Sequence, residues 1–286
     1  LCLLPLTTKE MKLHPWNTDF SWERNDRQEY LILDENQVNH FHEQGFVLLE
    51  NALDLDLLNE VTSDLDAIES SMEDFLRTLP DERLSIAEAD AIVFSIHAVA
   101  VSEAARKFAQ HPVFGKICHD LVGDNVRLYW DQLVYKKPAK PRPFPWHQDN
   151  GYTFVEPQQY LTCWIPLVDA TIENGCPWVA PGKHVHGTLA HSYVDPLGYQ
   201  CFDEPDDAVP VPAPRGSVVI FSSLTPHATG PNTSDSVRKA YILQYAPEGA
   251  MLHRGEPHVG PSTSQEVQSD QNRQFPVIID GLPVTQ

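Results

Sequence analysis

Apolar residues recur at spacings of three and four along Leu58, Val61, Leu65, Ile68, Met72 and Phe75, the period that lines one face of a helix. A long amphipathic helix is predicted here, its stripe serving packing and not chemistry. Upstream, Asp34 followed three residues later by Gln37 has the form of a capping box. Val38 and Phe41 supply a short stripe and Gly45 a stop. A short helix is expected there, then a strand over Phe46 to Leu49. Two further helices are predicted over 101–110 and 112–122, with Gly123 closing the second.

From Val126 onward the pattern shortens to runs rich in β-branched and aromatic residues, separated by Pro, Gly and Asn. The runs are Val126 to Tyr135, Tyr160 to Val168, Trp178 to Ala180, Ser217 to Phe221 and Ala240 to Tyr245. Strands following a helical third predict a mainly β protein with flanking helices, a double-stranded β-helix barrel of jelly-roll or cupin type. One domain is expected. Its parts would be an N-terminal extension over 1–32, a mostly helical flank over 33–125, a barrel core over 126–248 and an irregular tail over 249–286. Residues 185–215 are Pro-rich, acidic and without clear period. Such an insertion between core strands is either a lid over a site or a disordered surface loop.

Composition changes this picture little. The 286 residues are 42% hydrophobic and 21% charged, ordinary for a soluble globular protein. No apolar run approaches the roughly 20 residues that span a bilayer, and Leu1 to Leu6 is too short for a signal sequence. Met11 is read as the native start. Forty acidic against 20 basic residues give a net charge of −20, which argues against nucleic acid or an anionic membrane as partner. Five cysteines form no CxxC pair, so neither a disulfide framework nor a zinc site is suggested and a reducing cytoplasm fits.

The candidate chemistry lies in Pro145-Trp146-His147-Gln148-Asp149-Asn150-Gly151. An imidazole and a carboxylate two residues apart on a strand share a face. A second histidine would complete the two-His, one-carboxylate set that holds Fe(II) with positions left open. His227 is the best candidate: it follows the apolar run Gly216 to Phe221, and Arg238 lies beyond it at the start of another strand.

With these residues in place, the sequence closely resembles the phytanoyl-CoA dioxygenase family of Fe(II)- and 2-oxoglutarate-dependent oxygenases. The resemblance runs from Leu33 to about Pro247. It includes GFVLLE, PWHQDNG, WIPLVDATIENGCPWVAPGKHVHG and GSVVIFSSLTPHATGPNTSDSVRKAYILQY. It implies His147, Asp149 and His227 as iron ligands and Arg238, helped by Thr229, on the distal carboxylate of 2-oxoglutarate. Trp164 and Gln132 would line the same pocket. Arginine suits that carboxylate because its planar fork makes two charge-assisted hydrogen bonds. The implied reaction consumes O2 and 2-oxoglutarate, releases succinate and carbon dioxide, and hydroxylates or desaturates a small molecule. Relatives that halogenate replace the carboxylate with Gly or Ala, so the presence of Asp149 favours hydroxylation. Relatives also often carry a lysine in the pre-barrel region. The corresponding stretch, Ile92 to His97, has none, and His97 is either its substitute or a packed histidine.

Other features have blander readings. His184 and His186 form an HxH without a close carboxylate, and Cys176 has no nearby base. Trp130 and Trp178 are core aromatics before they are substrate platforms. Lys136, Lys137, Lys140 and Arg142 form a basic cluster that is either a solvated loop or an attractor for a carboxylate, phosphonate or CoA phosphate. The rival to the dioxygenase is a non-catalytic or 2-oxoglutarate-independent cupin-type metal-binding protein; Arg238 counts against it.

Overall fold

The computed structural model describes residues 11–284; the Leu1 to Leu6 stretch lies outside them. The helix Glu35–Gln44 starts as its sequence dictates. Asp34 accepts the Gln37 amide at 2.8 Å and the Gln37 side chain accepts the Asp34 amide at 2.9 Å. It ends at Gly45, left-handed at φ 86°. A Cβ there would also lie 2.6 Å from His184 Nδ1 and Thr225 Oγ1, so close approach as well as backbone conformation requires glycine. The helix Leu55–Leu76 buries Leu58, Val61 and Leu65, each worth about 1.5–3 kcal/mol when fully withdrawn from water. Phe75, on the predicted stripe, is instead 46% exposed, because Leu76, four residues after Met72, takes the buried place against Ala87, Ala89 and Val93. Helices Glu103–Ala109 and Pro112–Leu121 follow.

Among the described residues a ten-stranded sheet runs 46–49, 218–222, 161–166, 238–247, 126–136, 92–96, 87–88 and 83–84, with 276–279 also on 126–136 and 282–283 on 276–279. A second sheet runs 209–210, 177–179, 227–229 and 144–147. The two face each other as a double-stranded β-helix. The central strands 161–166, 218–222 and 238–247 are buried on both faces, which is why they read as nearly continuous apolar runs and not as alternation. Leu133, Tyr135, Cys163, Ile165, Tyr241 and Leu243 pack under the helices with Leu58, Val61 and Phe108. Their neighbours Val134, Trp164, Ala240 and Ile242 turn inward toward Val179 of the second sheet, the period of two that a pleated strand imposes.

Three sequence expectations need correction. The tail expected to be irregular over 249–286 carries strands in its described part. Met251–Arg254 pairs with Ser264–Val267, and Pro276–Ile279 joins the large sheet with Val277 and Ile278 buried. These strands are short and their apolar content is low or brief, so composition hid them. The flank is also less helical than expected, since Ile92–Ile96 is a strand of the large sheet. Finally, residues 185–215 are not a disordered loop. Thr188 and Leu189 are buried, and Ser192–Val194 pairs with Gly198–Gln200 as a hairpin. The hairpin is tied down by Arg142 donating to the Pro196 carbonyl at 2.6 Å and by the Cys201 amide donating to the Trp146 carbonyl at 2.8 Å. The N-terminal segment straps across this region, the His14 amide donating to the Thr188 carbonyl and the Ala190 amide to the Lys12 carbonyl.

Candidate metal centre

Strands Phe144–His147 and His227–Thr229 are antiparallel neighbours, with His147 and His227 directly opposite each other. Opposed residues of such a pair project to the same side, and here the ring centroids are 4.1 Å apart. Each ring is oriented from behind. Nδ1 of His147 donates to the Pro145 carbonyl at 2.8 Å, and Nδ1 of His227 to the Thr225 carbonyl at 2.9 Å. Since a carbonyl can only accept, Nδ1 carries a proton in each ring, and Nε2 is the nitrogen left facing the site. Both Nε2 atoms lie 3.9 Å from Asp149 Oδ1, and one donor atom from each of the three residues falls within 4.8 Å of the others. Burial holds the His147 imidazole well below its ordinary pKa, with His227 adding to the effect. Its free ring is therefore neutral, the form that ligates metal.

Contrary to the sequence expectation, Asp149 does not share a strand face with His147. The strand ends at His147, and Asp149 opens a 3-10 turn, Asp149–Gly151. Three features set that turn. The Gln148 side chain points the other way, donating to the Gly187 and Leu224 carbonyls at 3.0 and 2.6 Å and accepting the Leu189 amide at 2.6 Å. Asn150 donates to Thr188 Oγ1 and accepts the Val155 amide. A Cβ on Gly151 would lie 2.0 Å from the His191 ring, so the turn packs where only glycine fits. Asp149 itself is held by the Thr162 hydroxyl, which donates to Oδ2 and leaves Oδ1 toward the histidines.

The cavity beside these three residues is lined from both sheets, by Thr162, Trp164, Gln132, Thr229 and Arg238 and by the apolar Ile92, Phe94, Phe144 and Ile242 among others. Every residue assigned to the site from sequence thus borders one space. Arg238 is 1% exposed. Its Nη1 donates to the Val134 carbonyl at 3.2 Å, its Nε has no partner among the described residues, and Trp164 lies 5.3 Å from the guanidinium carbon. Burial lowers its pKa to about 9, still cationic at neutrality. A buried cation with so few bonds favours an incoming anion.

The remaining candidates fall elsewhere. His97 does not line the cavity. It sits in a left-handed conformation at φ 60° against Trp130, its Nδ1 3.9 Å from Asp131. It does not substitute for the family lysine, because the strand before it turns Ile92 and Phe94 to the cavity instead. His184 is buried with Nε2 on the His42 carbonyl, and neither it nor His186 joins the metal set. Burial pushes the Cys176 thiol up to about 11, so it is no nucleophile. Trp178 and Trp130 pack in apolar clusters.

The basic cluster runs through a loop whose Ala139, Lys140 and Pro141 are exposed, but its cations are paired within the protein. Lys137 bridges Glu69 and Glu73 at 2.7 Å each; Lys140 lies near Glu82 and Glu88; Arg142 pairs with Glu88 at 3.0 Å. Lys136 is buried on the carbonyls of Arg142, Thr229 and Gly230. All four charges are engaged within the protein.

Sequence reasoning missed Thr162, Gln148, Asn150 and His191. The one signal for Thr162 was a hydroxyl in the otherwise apolar run Leu161–Pro166. The others had none, since their partners lie in a stretch without readable period.

The sequence model of the family described as phytanoyl-CoA dioxygenase matches residues 41–240. A phytanoyl-CoA dioxygenase of Arabidopsis thaliana is 31% identical over 116 residues, covering 38% of this chain and 41% of that protein. The methylphosphonate hydroxylase of Gimesia maris is 34% identical over 130 residues, covering 44% and 47%. The chain spans about half the length of these curated relatives. Among solved structures, the non-heme alpha ketoglutarate dependent carbocyclase SnoK from nogalamycin biosynthesis is similar at a TM-score of 0.65 and 22% identity, over 85% of this chain and 96% of that one. Likeness at that identity speaks for the fold. The family match covers most of the chain and contains His147, Asp149, His227 and Arg238: the chain belongs to the phytanoyl-CoA dioxygenase family.

Proposed function

We propose that the protein is an Fe(II)- and 2-oxoglutarate-dependent dioxygenase that hydroxylates, or desaturates, a small organic substrate with release of succinate and carbon dioxide. The observation that carries this reading is the pairing of two features in one cavity: three convergent donors, and a buried, under-bonded guanidinium. The donor set fits the metal. Two imidazoles with Nδ1 already engaged and one carboxylate oxygen are the ligand chemistry of Fe(II) oxygenases, and three protein ligands leave positions open. Arg238 fits the cosubstrate, its unpartnered Nε waiting for a carboxylate.

Bound Fe(II) with 2-oxoglutarate and O2 supplies the oxidising power that no side chain has. The chain's own residues bind, orient and exclude water. His147, Asp149 and His227 hold the metal; Arg238 anchors the distal carboxylate, with Thr229 and Trp164 flanking it; Gln132 borders the same space. Ile92, Phe94, Phe144 and Ile242 keep the cavity largely apolar, which suits cleavage of an unactivated C–H bond. The expectation that the basic cluster draws an anionic substrate loses its support, since those cations are already paired. The carboxylate at Asp149 supports hydroxylation over halogenation.

The test is succinate formation from 2-oxoglutarate by protein loaded with Fe(II), across a panel of acyl-CoA esters, phosphonates and neutral metabolites. Formation that a chelator and His147→Ala both abolish is expected. Failure of Fe(II)-loaded protein to bind 2-oxoglutarate, or turnover that survives His147→Ala, would overturn the reading.

A further inference from the structure

The strand Leu161–Pro166 is buried along its whole length, and its side chains divide by period two. Leu161, Cys163 and Ile165 enter the core under the helices. Thr162 and Trp164 face the cavity. Trp164 contributes apolar surface, but Thr162 is 1% exposed and puts a hydroxyl where valine would pack with the same shape. Burying a hydroxyl without a bond is costly, and here its bond goes to Asp149 Oδ2. The two other candidate ligands are each held from behind by a backbone carbonyl on Nδ1. Asp149 lies outside any strand, in a 3-10 turn, and its carboxylate has no other hydrogen-bond partner among the described residues.

We infer that Thr162 is the positioning residue of the metal centre: its hydroxyl holds Asp149 Oδ2, so that Oδ1 alone is turned to the point the two Nε2 atoms share. This rests on the metal-centre reading above. The physical reason is rotational. A carboxylate on a short side chain turns about its last bond, and that torsion is broad. One donor on Oδ2 fixes it, and partners of ligands placed this way typically contribute 10–100-fold in metal affinity. The bond also biases Asp149 against presenting both oxygens, which keeps a coordination position free for small ligands.

The experiment is calorimetric titration of Mn(II), a redox-stable stand-in, into metal-free wild-type protein, Thr162→Val and Thr162→Ser, alongside thermal unfolding of each without metal. Thr162→Val removes the donor and keeps the shape; Thr162→Ser keeps the donor and loses a methyl group. Mn(II) affinity about 10–100-fold weaker in Thr162→Val, an affinity near wild type in Thr162→Ser, and a metal-free Thr162→Val no less thermally stable than Thr162→Ser are expected. Wild-type affinity in Thr162→Val overturns the assignment, as does equal weakening in both variants, which would make the effect one of packing. Wild-type protein that takes up no Mn(II) overturns the metal-centre reading along with it, so the two failures are told apart.

Discussion

Lys136 and Arg238 stand directly opposite each other on paired strands, and each is 1% exposed. Their surroundings differ in what they leave undone. Burial, with Arg238 and Arg142 nearby, holds the Lys136 amine well below the usual lysine pKa, yet its three contacts all run to carbonyls, at 3.1, 3.1 and 2.6 Å, which takes the three donors of the ammonium form. The guanidinium has five donors and, among the described residues, a single hydrogen bond, with Nε left over. A saturated buried cation ties segments together; a short-changed one is where a ligand's charge belongs. Lys136 joins the end of the 227–229 strand to the loop at Arg142, whereas Arg238 faces the cavity. From sequence Arg238 was placed on the cosubstrate by resemblance and Lys136 in a basic loop cluster; that the two face each other across one pair of strands was not visible.

The largest expected effect would erase the comparison by removing the fold beneath both cations. Burial pulls His14, His42, His184 and His191 down to about 4 from 6.5. Between those values the unfolded chain takes up protons that the native chain refuses. Stability held above pH 6.5 is therefore lost as pH falls toward 4, by at most about 1.4 kcal/mol per pH unit for each such proton. Urea midpoints of metal-free protein at pH 7.5 and pH 5 measure this, and equal midpoints would contradict it. Next, Arg238→Ala should weaken 2-oxoglutarate binding by about 1.5–3 kcal/mol, or roughly ten- to a hundredfold, with no loss of thermal stability. Anaerobic calorimetry decides, and unchanged affinity would move the carboxylate site elsewhere. Lys136→Met should do the converse, lowering stability by about 1–3 kcal/mol through three carbonyls left without donors and leaving cosubstrate affinity nearly intact. If it instead weakened binding as much as Arg238→Ala, the division between structural and ligand-binding cation would collapse. The smallest effect belongs to His97→Ala, for which 2-oxoglutarate affinity should match wild type, because His97 does not border the cavity.

The helices, the five strands read from apolar runs between Val126 and Tyr245, and the candidate metal set were legible because each leaves a local mark. A cap and a stripe announce Glu35–Gln44, and continuous apolar runs announce strands buried on both faces. What was not legible depends on distant partners. The strand Pro276–Ile279 exists because it finds an edge of Val126–Lys136. The insertion is ordered by Gln148, Asn150 and the N-terminal strap. The basic run Lys136 to Arg142 was read as a loop open to solvent or ligand because its neutralising glutamates, Glu69, Glu73 and Glu88, lie on elements far away in sequence. Even Asp149 was placed for an incomplete reason: an HxD spacing suggested pleat, and the structure gives a turn.

The pairing of Phe46–Leu49 with Val218–Ser222, Phe46 against Phe221, has a consequence for how the chain comes to exist. On the ribosome the apolar 46–49 segment emerges long before its partner and cannot be paired until residue 222 has been made. His147 and His227 are separated in the same way. Long-range pairing of this kind slows folding and exposes strand edges meanwhile. Metal uptake is therefore a late event in maturation, and in refolding from urea it should lag the growth of helical signal in stopped-flow traces; uptake that kept pace with helix formation would show a site assembled without the closed barrel.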